Sequence, residues 1–254
     1  MAMLSGKIIL VTGGASGIGE AAAKLFASEG ASVVVADMSE ESGVSTCRDI
    51  EDSGGTCHFV RTNVTVDAEV RNLVSETVRK FGRLDGAFNN AGVEQSWRRL
   101  HELDEGEWHR VLDINLTGIF LCMKHEIAAM LSNKAGSIVN TSSSFGQTAV
   151  PYSSDYTASK HGVLGLSRAA ACDYAKDGIR VNALMPGLTR TPMGDRVPEL
   201  PELHAMFSNF LGILPMARLA EPREIAQGAA WLLSDAASFV TGIGLPVDGG
   251  YLTV

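Results

Sequence analysis

The sequence predicts an α/β fold in which helices cover both faces of a doubly wound, parallel sheet. Three observations carry this. Short β-branched runs alternate with longer helical patterns along the chain, and such alternation closes as parallel strands joined by right-handed crossovers. A glycine-rich turn directly follows the first strand. The chain has 254 residues, 45% of them hydrophobic, enough for a full core in one domain of about 250 residues.

The elements follow in order. Residues 7–12 form the first strand, and the helix from Gly17 to Gly30 places Ile18, Ala22, Leu25 and Phe26 near a 3.6 period. Ser32–Asp37 is the second strand, and the helix from Ser39 stops at Gly54-Gly55. Cys57–Arg61 is the third strand; the amphipathic helix 67–81 aligns Val70, Leu73, Val74, Thr77 and Val78. Leu84–Asn89 is the fourth strand, and one long helical region runs from about Asp104 to Leu131. Gly136–Thr141 is the fifth strand, 154–176 a helix, and Ile179–Leu184 the sixth strand. The proline-rich stretch 186–215 is weakly periodic and too long for an ordinary connection, so it reads as a substrate-binding lid. The helix 221–234 has Pro222 at its first position, and Gly244–Val247 is a last short strand. No linker or repeat divides the chain, so 1–254 reads as one domain.

Thr12-Gly13-Gly14-Ala15-Ser16-Gly17-Ile18-Gly19 lies between the first strand and helix. Glycines there permit a tight turn and close approach of backbone to a phosphate, which the helix N-terminus attracts. Asp37 ends the second strand, 18 residues after Gly19, where an acidic residue bonds the ribose hydroxyls of a dinucleotide. The next residues are Met38, Ser39 and Glu40, with no arginine. A carboxylate there repels a 2′-phosphate, which favours NAD over NADP.

Composition excludes other classes. Lys and Arg number 21 against 29 Asp and Glu, a net charge of −8 with no basic run, so nucleic acid is not an expected partner. No apolar run exceeds five residues, so a bilayer span is not expected. The first residues hold no apolar core of an export signal. Cys47, Cys57, Cys122 and Cys172 lie far apart without metal spacing and read as reduced thiols filling the core of a cytoplasmic protein. No G-x-S-x-G elbow or H-E-x-x-H motif occurs, so neither a serine hydrolase nor metal chemistry is expected.

Tyr156 and Lys160 stand at i and i+4, one helical turn apart. An adjacent ammonium favours phenolate and lowers the phenol's usual pKa of about 10. Bringing it near 7 takes about 4 kcal/mol, large for one charge pair, so a positively charged nicotinamide would have to assist.

Together, T-G-x3-G-x-G at 12–19, Asn89-Asn90-Ala91-Gly92, Asn115, Ser143, Tyr156-x3-Lys160 and Pro186-Gly187 resemble the short-chain dehydrogenase/reductase family over essentially the whole chain. The resemblance implies a Rossmann fold with seven parallel strands in the order 3-2-1-4-5-6-7, usually assembled as a homotetramer. It implies Tyr156 as general acid/base, Lys160 on the nicotinamide ribose and lowering the Tyr156 pKa, Ser143 on the substrate oxygen, and Asn115 holding a relay water. Gly13, Ser16, Gly17, Ile18, Gly19, Asp37, Met38, Asn89, Ala91 and Gly92 would face the adenosine and pyrophosphate. Pro186, Gly187, Leu188, Thr189 and Thr191 would face the nicotinamide. Where the family often has Asp-Val after the third strand, this chain has Asn63-Val64; the amide is expected to accept a hydrogen bond from adenine.

Several segments, among them Gly118–Lys124 and 233–242, are similar to bacterial dehydrogenases of cyclic diols. Glu94, Gln95, Ser144, Val150, Tyr152, Leu188 and Met193 are the expected pocket residues, partly apolar and sized for a ring alcohol or ketone. A 3-oxoacyl-thioester reductase would want a basic docking patch, and only Arg98-Arg99 is near. A sugar dehydrogenase stays open. A nucleotide-binding regulator without catalysis would be expected to lack one of Asn115, Ser143, Tyr156 and Lys160; all four are present. The apolar helix 225–233 and the tail 247–254 are candidate interface elements or core.

Overall fold

Every residue of β1 (Ile8–Thr12) is buried, as a strand covered on both faces requires. The computed structural model describes residues 2–194 and 209–254. Residues 195–208, the middle of the expected lid, lie outside the described residues.

Seven parallel strands lie in the order β3-β2-β1-β4-β5-β6-β7. They are β1, β2 (Ser32–Asp37), β3 (Thr56–Arg61), β4 (Gly86–Asn89), β5 (Gly136–Thr141), β6 (Ile179–Pro186) and β7 (Gly244–Val247). Strand alternation splits the core in two. Ile9, Val11, Val33, Val35, Phe88 and Leu184 face α1 (Gly17–Ser28), α2 (Glu40–Asp52) and α7 (Pro222–Leu233). Leu10, Val34, Ala36, Ala87, Ile138 and Val181 face α3 (Asp67–Phe81), α5 (Gly118–Leu131) and α6 (Ser154–Tyr174). The remaining helix, α4 (Glu105–Leu112), leads into α5.

Local chemistry sets the ends. Gly82 stops α3 in the left-handed conformation at φ 85°. Glu221 and Glu224 form a capping box around Pro222 at the start of α7. The fourth strand begins two residues later than expected, because Leu84 and Asp85 precede it and the Asp85 carboxylate accepts from Ile8 N (2.8 Å). Ile225, Ala226, Ala229, Ala230, Leu232 and Leu233 of α7 are buried within the subunit, so that face of the helix is core.

The expected single helix 104–131 is interrupted by a π turn, Asp113–Thr117. The run Glu105–Leu131 is long and apolar enough to cross a membrane by length and composition alone. Here Val111, Ile119, Cys122, Met123, Ile127 and Met130 are buried in the protein, which accounts for its apolarity.

The reading of four reduced cysteines is corrected: Cys47 and Cys57 form a disulfide with Cα atoms 5.2 Å apart. Cys47 is on the buried face of α2 and Cys57 on β3, against which α2 packs, a juxtaposition their spacing does not reveal. Cys122 is a buried thiol and Cys172 an exposed one.

Candidate active site

The glycine loop is shaped by close backbone approach. Gly13 has φ 66°, and a Cβ on Gly19 would overlap the Gly13 carbonyl oxygen. Ser16 is exposed and makes no side-chain cap on α1, so first-turn N–H groups, Gly17 and Ile18 among them, are left to a ligand. Asp37 braces the loop: one carboxylate oxygen accepts from Ala15 N (3.1 Å), the other from Ser39 N (3.0 Å). Met38 beside it is exposed. The Thr12 hydroxyl accepts from Asn90 N (3.1 Å) and Ala91 N (3.2 Å), fixing the loop after β4 against β1.

Two expected adenosine-side residues are placed differently. Asn89 is wholly buried, and its amide donates to Glu126 Oε2 (2.9 Å) and Asn140 Oδ1 (3.0 Å). It is therefore a core residue, because as the last residue of β4 it points into the interior while Ala91 and Gly92 turn outward beyond it. Asn63 uses its side-chain oxygen on Thr65 N (3.0 Å) and Thr65 Oγ1 (2.8 Å), an Asx turn that spends both lone pairs locally. The accepting role expected for it is thus taken, leaving only its amide N–H groups. Val64 is buried beside Gly118.

The residues expected to be catalytic come from three separate elements. Ser143 follows β5; its hydroxyl accepts from Phe145 N (3.1 Å) and lies close enough to the Tyr156 phenol to favour the ionised form. Lys160 is 2% exposed; its Nζ donates to the Thr141 carbonyl (2.8 Å) and lies 5.4 Å from the Tyr156 ring centre. A Cβ on Gly92 would stand 3.7 Å from that Nζ and 3.1 Å from Asn115 Oδ1, so the loop after β4 reaches the catalytic corner.

Burial governs the electrostatics. It pushes the Tyr156 phenol up to about 12, against the hydrogen bond from Ser143, with the Glu94 charge adding to the rise. It pushes the Lys160 amine down to about 7. Desolvation thus drives both groups toward their neutral forms, and for Tyr156 this is the direction opposite to the expected lowering.

Asn115, in the π turn, accepts from Val93 N (2.8 Å) and donates to Val93 O (2.9 Å). This two-way pairing, with a further contact from its amide N to Ser159 Oγ (3.4 Å), ties Asn115 to the loop after β4 and to α6. π turns often mark functional sites.

Beyond β6, Gly187 presses on Asp248, where a Cβ would lie 2.6 Å from its Cα, and the Thr189 hydroxyl donates to Gly187 O (2.9 Å). Leu188 and Ala220 pair through backbone, and Thr191 reaches back to the glycine loop, 3.3 Å from where a Gly17 Cβ would be. Pro186 closes β6. Of the expected pocket, Glu94, Val150, Tyr152 and Met193 have exposed surface, whereas Gln95 and Ser144 are buried. Tyr152 and Trp97 hold φ of 63° and 57°, strained backbone on two segments flanking Tyr156.

Sequence reading missed Asp155. Its buried carboxylate accepts from Tyr156 N (2.7 Å) and Ser96 N (3.0 Å), fastening the 93–97 loop to the first turn of α6. Only its place beside Tyr156 hinted at this. Two surface grooves, one between α3 and α5 and one beside Phe120 and Leu166, share no residue with this site. No His, Cys, Asp or Glu cluster fit for a metal occurs among the described residues. The uncapped helix start, bare glycine loop and Asp37 carboxylate fit a dinucleotide.

A family model described as enoyl-(acyl carrier protein) reductase matches residues 13–252. A 2,5-dichloro-2,5-cyclohexadiene-1,4-diol dehydrogenase of Sphingobium indicum is 47% identical, covering 100% of each chain. A cis-4-hydroxycyclohexanecarboxylate dehydrogenase of Sinomonas cyclohexanicum is 44% identical over 98% of this chain and 97% of that one. The crystal structure of levodione reductase superposes with TM-score 0.94 at 36% identity, covering 98% of this chain and 99% of its own.

Proposed function

Because this chain belongs to the short-chain dehydrogenase/reductase family, we propose that it is an NAD-dependent oxidoreductase that interconverts a secondary alcohol, on a ring or cyclic diol, and its ketone. The observation that carries the chemistry is the convergence of Ser143, Tyr156 and Lys160 from β5 and α6 at one corner. The relatives that act on six-membered rings support the substrate class.

A bound nicotinamide dinucleotide supplies the hydride acceptor at C4 and, when oxidised, a positive charge. Tyr156 takes the hydroxyl proton in oxidation and returns it in reduction. Ser143 holds the substrate oxygen against the phenol, its own oxygen oriented by the Phe145 N–H. Lys160, its Nζ held by the Thr141 carbonyl, would bind the ribose and pass protons. Its amine at about 7 suits exchange near neutrality. Gly13, Ser16, Gly17, Ile18, Gly19, Ala91 and Gly92 line the pyrophosphate and adenosine side; Pro186, Gly187, Leu188, Thr189 and Thr191 line the nicotinamide side. Glu94, Val150, Tyr152 and Met193 would line the substrate pocket.

Asp37 supports NAD, since its carboxylate would oppose a 2′-phosphate. Arg61, its exposed register partner on β3, is a cation beside that position. The second reading is 3-oxoacyl-thioester reduction; the description of the matching family model shares its acyl-thioester substrate class, though it names reduction of a C=C bond rather than of a ketone. The exposed Phe120, beside the apolar groove formed by Leu116, Gly162, Gly165 and Leu166, supports self-association, proposed as a homotetramer; sedimentation equilibrium at four times the monomer mass is the expected result.

The test is reduction of NAD or NADP by purified protein with cyclic diols, cyclic alcohols and sugars, and oxidation of NADH with a 3-oxoacyl thioester. Turnover of ring alcohols with NAD, lost by about a thousandfold in Tyr156→Phe, is expected. Turnover of the thioester alone moves the function to the second reading, and nucleotide binding without any turnover overturns both.

A further inference from the structure

We propose that Phe145, Phe210 and Tyr251 form an aromatic wall beside Tyr156 that selects ring-shaped secondary alcohols over open-chain ones, an inference that rests on the dehydrogenase reading above. The Phe145 ring meets Tyr156 edge to face, 6.5 Å between centres. It also contacts Phe210 at 6.2 Å and Tyr251 at 6.0 Å, and those two contact each other at 5.9 Å. The three rings thus close a triangle, one corner of which touches the proton-transferring phenol.

None of the three belongs to the clusters that flank the sheet, and all three are half-buried. Core aromatics would be enclosed, as Phe26 and Phe88 are. Phe145, Phe210 and Tyr251 are instead only partly enclosed.

Each ring is held from a different direction. Phe145 lies two residues after Ser143, on the turn Ser144–Gly146 whose backbone is bonded to the Ser143 hydroxyl. Tyr251 sits on the turn Tyr251–Thr253, pinned by Asp248, whose carboxylate accepts from Gly250 N (2.9 Å) and Leu252 N (3.0 Å). Phe210 belongs to the helical turn 209–213, and the residues that follow are tied to the same glycines: Met216 N donates to Gly249 O (3.1 Å), and Pro215 packs on Gly250. The wall is therefore registered to the reacting oxygen through Ser143.

A saturated ring presents a row of C–H bonds to the negative faces of these aromatics and is already rigid. An open-chain alcohol makes fewer such contacts at once and must freeze rotors to lie flat. One ring contact is worth about twofold to tenfold in binding.

The experiment compares cyclohexanol with 2-hexanol, both six-carbon secondary alcohols, in wild type, Phe145→Leu, Tyr251→Leu and Tyr251→Phe. The ring-to-chain ratio of kcat/KM is expected to fall about threefold to tenfold in each leucine variant, through KM for the ring, with kcat changed less than about twofold. Tyr251→Phe keeps the ring, stands even if a leucine variant fails to fold, and is expected to keep the ratio. An unchanged ratio in the leucine variants, equal losses for both alcohols, or a fall in Tyr251→Phe overturns the wall. Should wild type oxidise no alcohol, the dehydrogenase reading fails by itself. The wall is then judged by saturation-transfer NMR of cyclohexanol, where an unchanged signal in both leucine variants overturns it and a weakened one supports it.

Discussion

At the glycine loop the chain exposes backbone by leaving side chains out: a Cβ on Gly19 has no room, and Ser16 declines to cap α1. At the Tyr156 corner the working groups are side chains, and burial pushes them away from their charged forms. The first region is specified over a few consecutive residues and tolerates no added atoms. The second is assembled from β5, α6 and the loop after β4, and it costs stability to hold an amine out of water. The difference teaches where each is vulnerable: one to added bulk, the other to altered charge.

Four experiments sharpen that contrast. Lys160→Met has the largest expected effect, a fall in turnover of about a hundredfold or more. It also changes the pH dependence of folding. The native amine titrates at about 7 against 10.5 for an ordinary lysine. Between those values the unfolded chain binds a proton that the native chain does not, so wild-type stability rises with pH across that interval. Chemical denaturation at pH 7 and 9.5 should show that slope shrink in Lys160→Met.

Next, Gly19→Val should weaken NAD by about tenfold to a hundredfold in calorimetry, because the Gly13 carbonyl must move. Wild-type affinity in that variant would break the comparison.

Asp37→Asn is a smaller change. It should weaken NAD by about tenfold and leave NADP equal or improved, with Arg61 close by. An equal loss for both cofactors would assign Asp37 to bracing Ala15 and Ser39 alone.

The smallest effect lies in the core. Burial raises the Glu126 carboxyl to about 8 from 4.5, against the hydrogen bond from Asn89. Its contribution is fully present below pH 4.5 and is lost as pH rises to about 8. Glu126→Gln should gain at least about 1 kcal/mol relative to wild type between pH 5 and 8 in thermal melts.

The legible part of the molecule is the part written locally. Strand runs, the stop at Gly82 and Pro222 at a helix start need only neighbours in sequence, and the strand order came with the family resemblance. The glycine loop and Tyr156-Lys160 are local patterns as well. What stayed hidden depends on distant contacts or on direction. Asn89 was read with Ala91 and Gly92, yet as the last residue of β4 it points into the core. The π turn at Asn115 follows from its pairing with Val93, 22 residues away. The Cys47–Cys57 disulfide, the Asp155 clasp and the Tyr251 ring beside Phe145 likewise need the folded chain.

The Asp155 clasp has a consequence for motion. One buried carboxylate holds the amides of Ser96 and Tyr156, 59 residues apart in the chain. Each amide is held by a different oxygen of this one carboxylate, so motion of the Asp155 side chain frees the 93–97 loop and the first turn of α6 together. In hydrogen–deuterium exchange the two amides should therefore show matched protection, and Asp155→Ala should release them both.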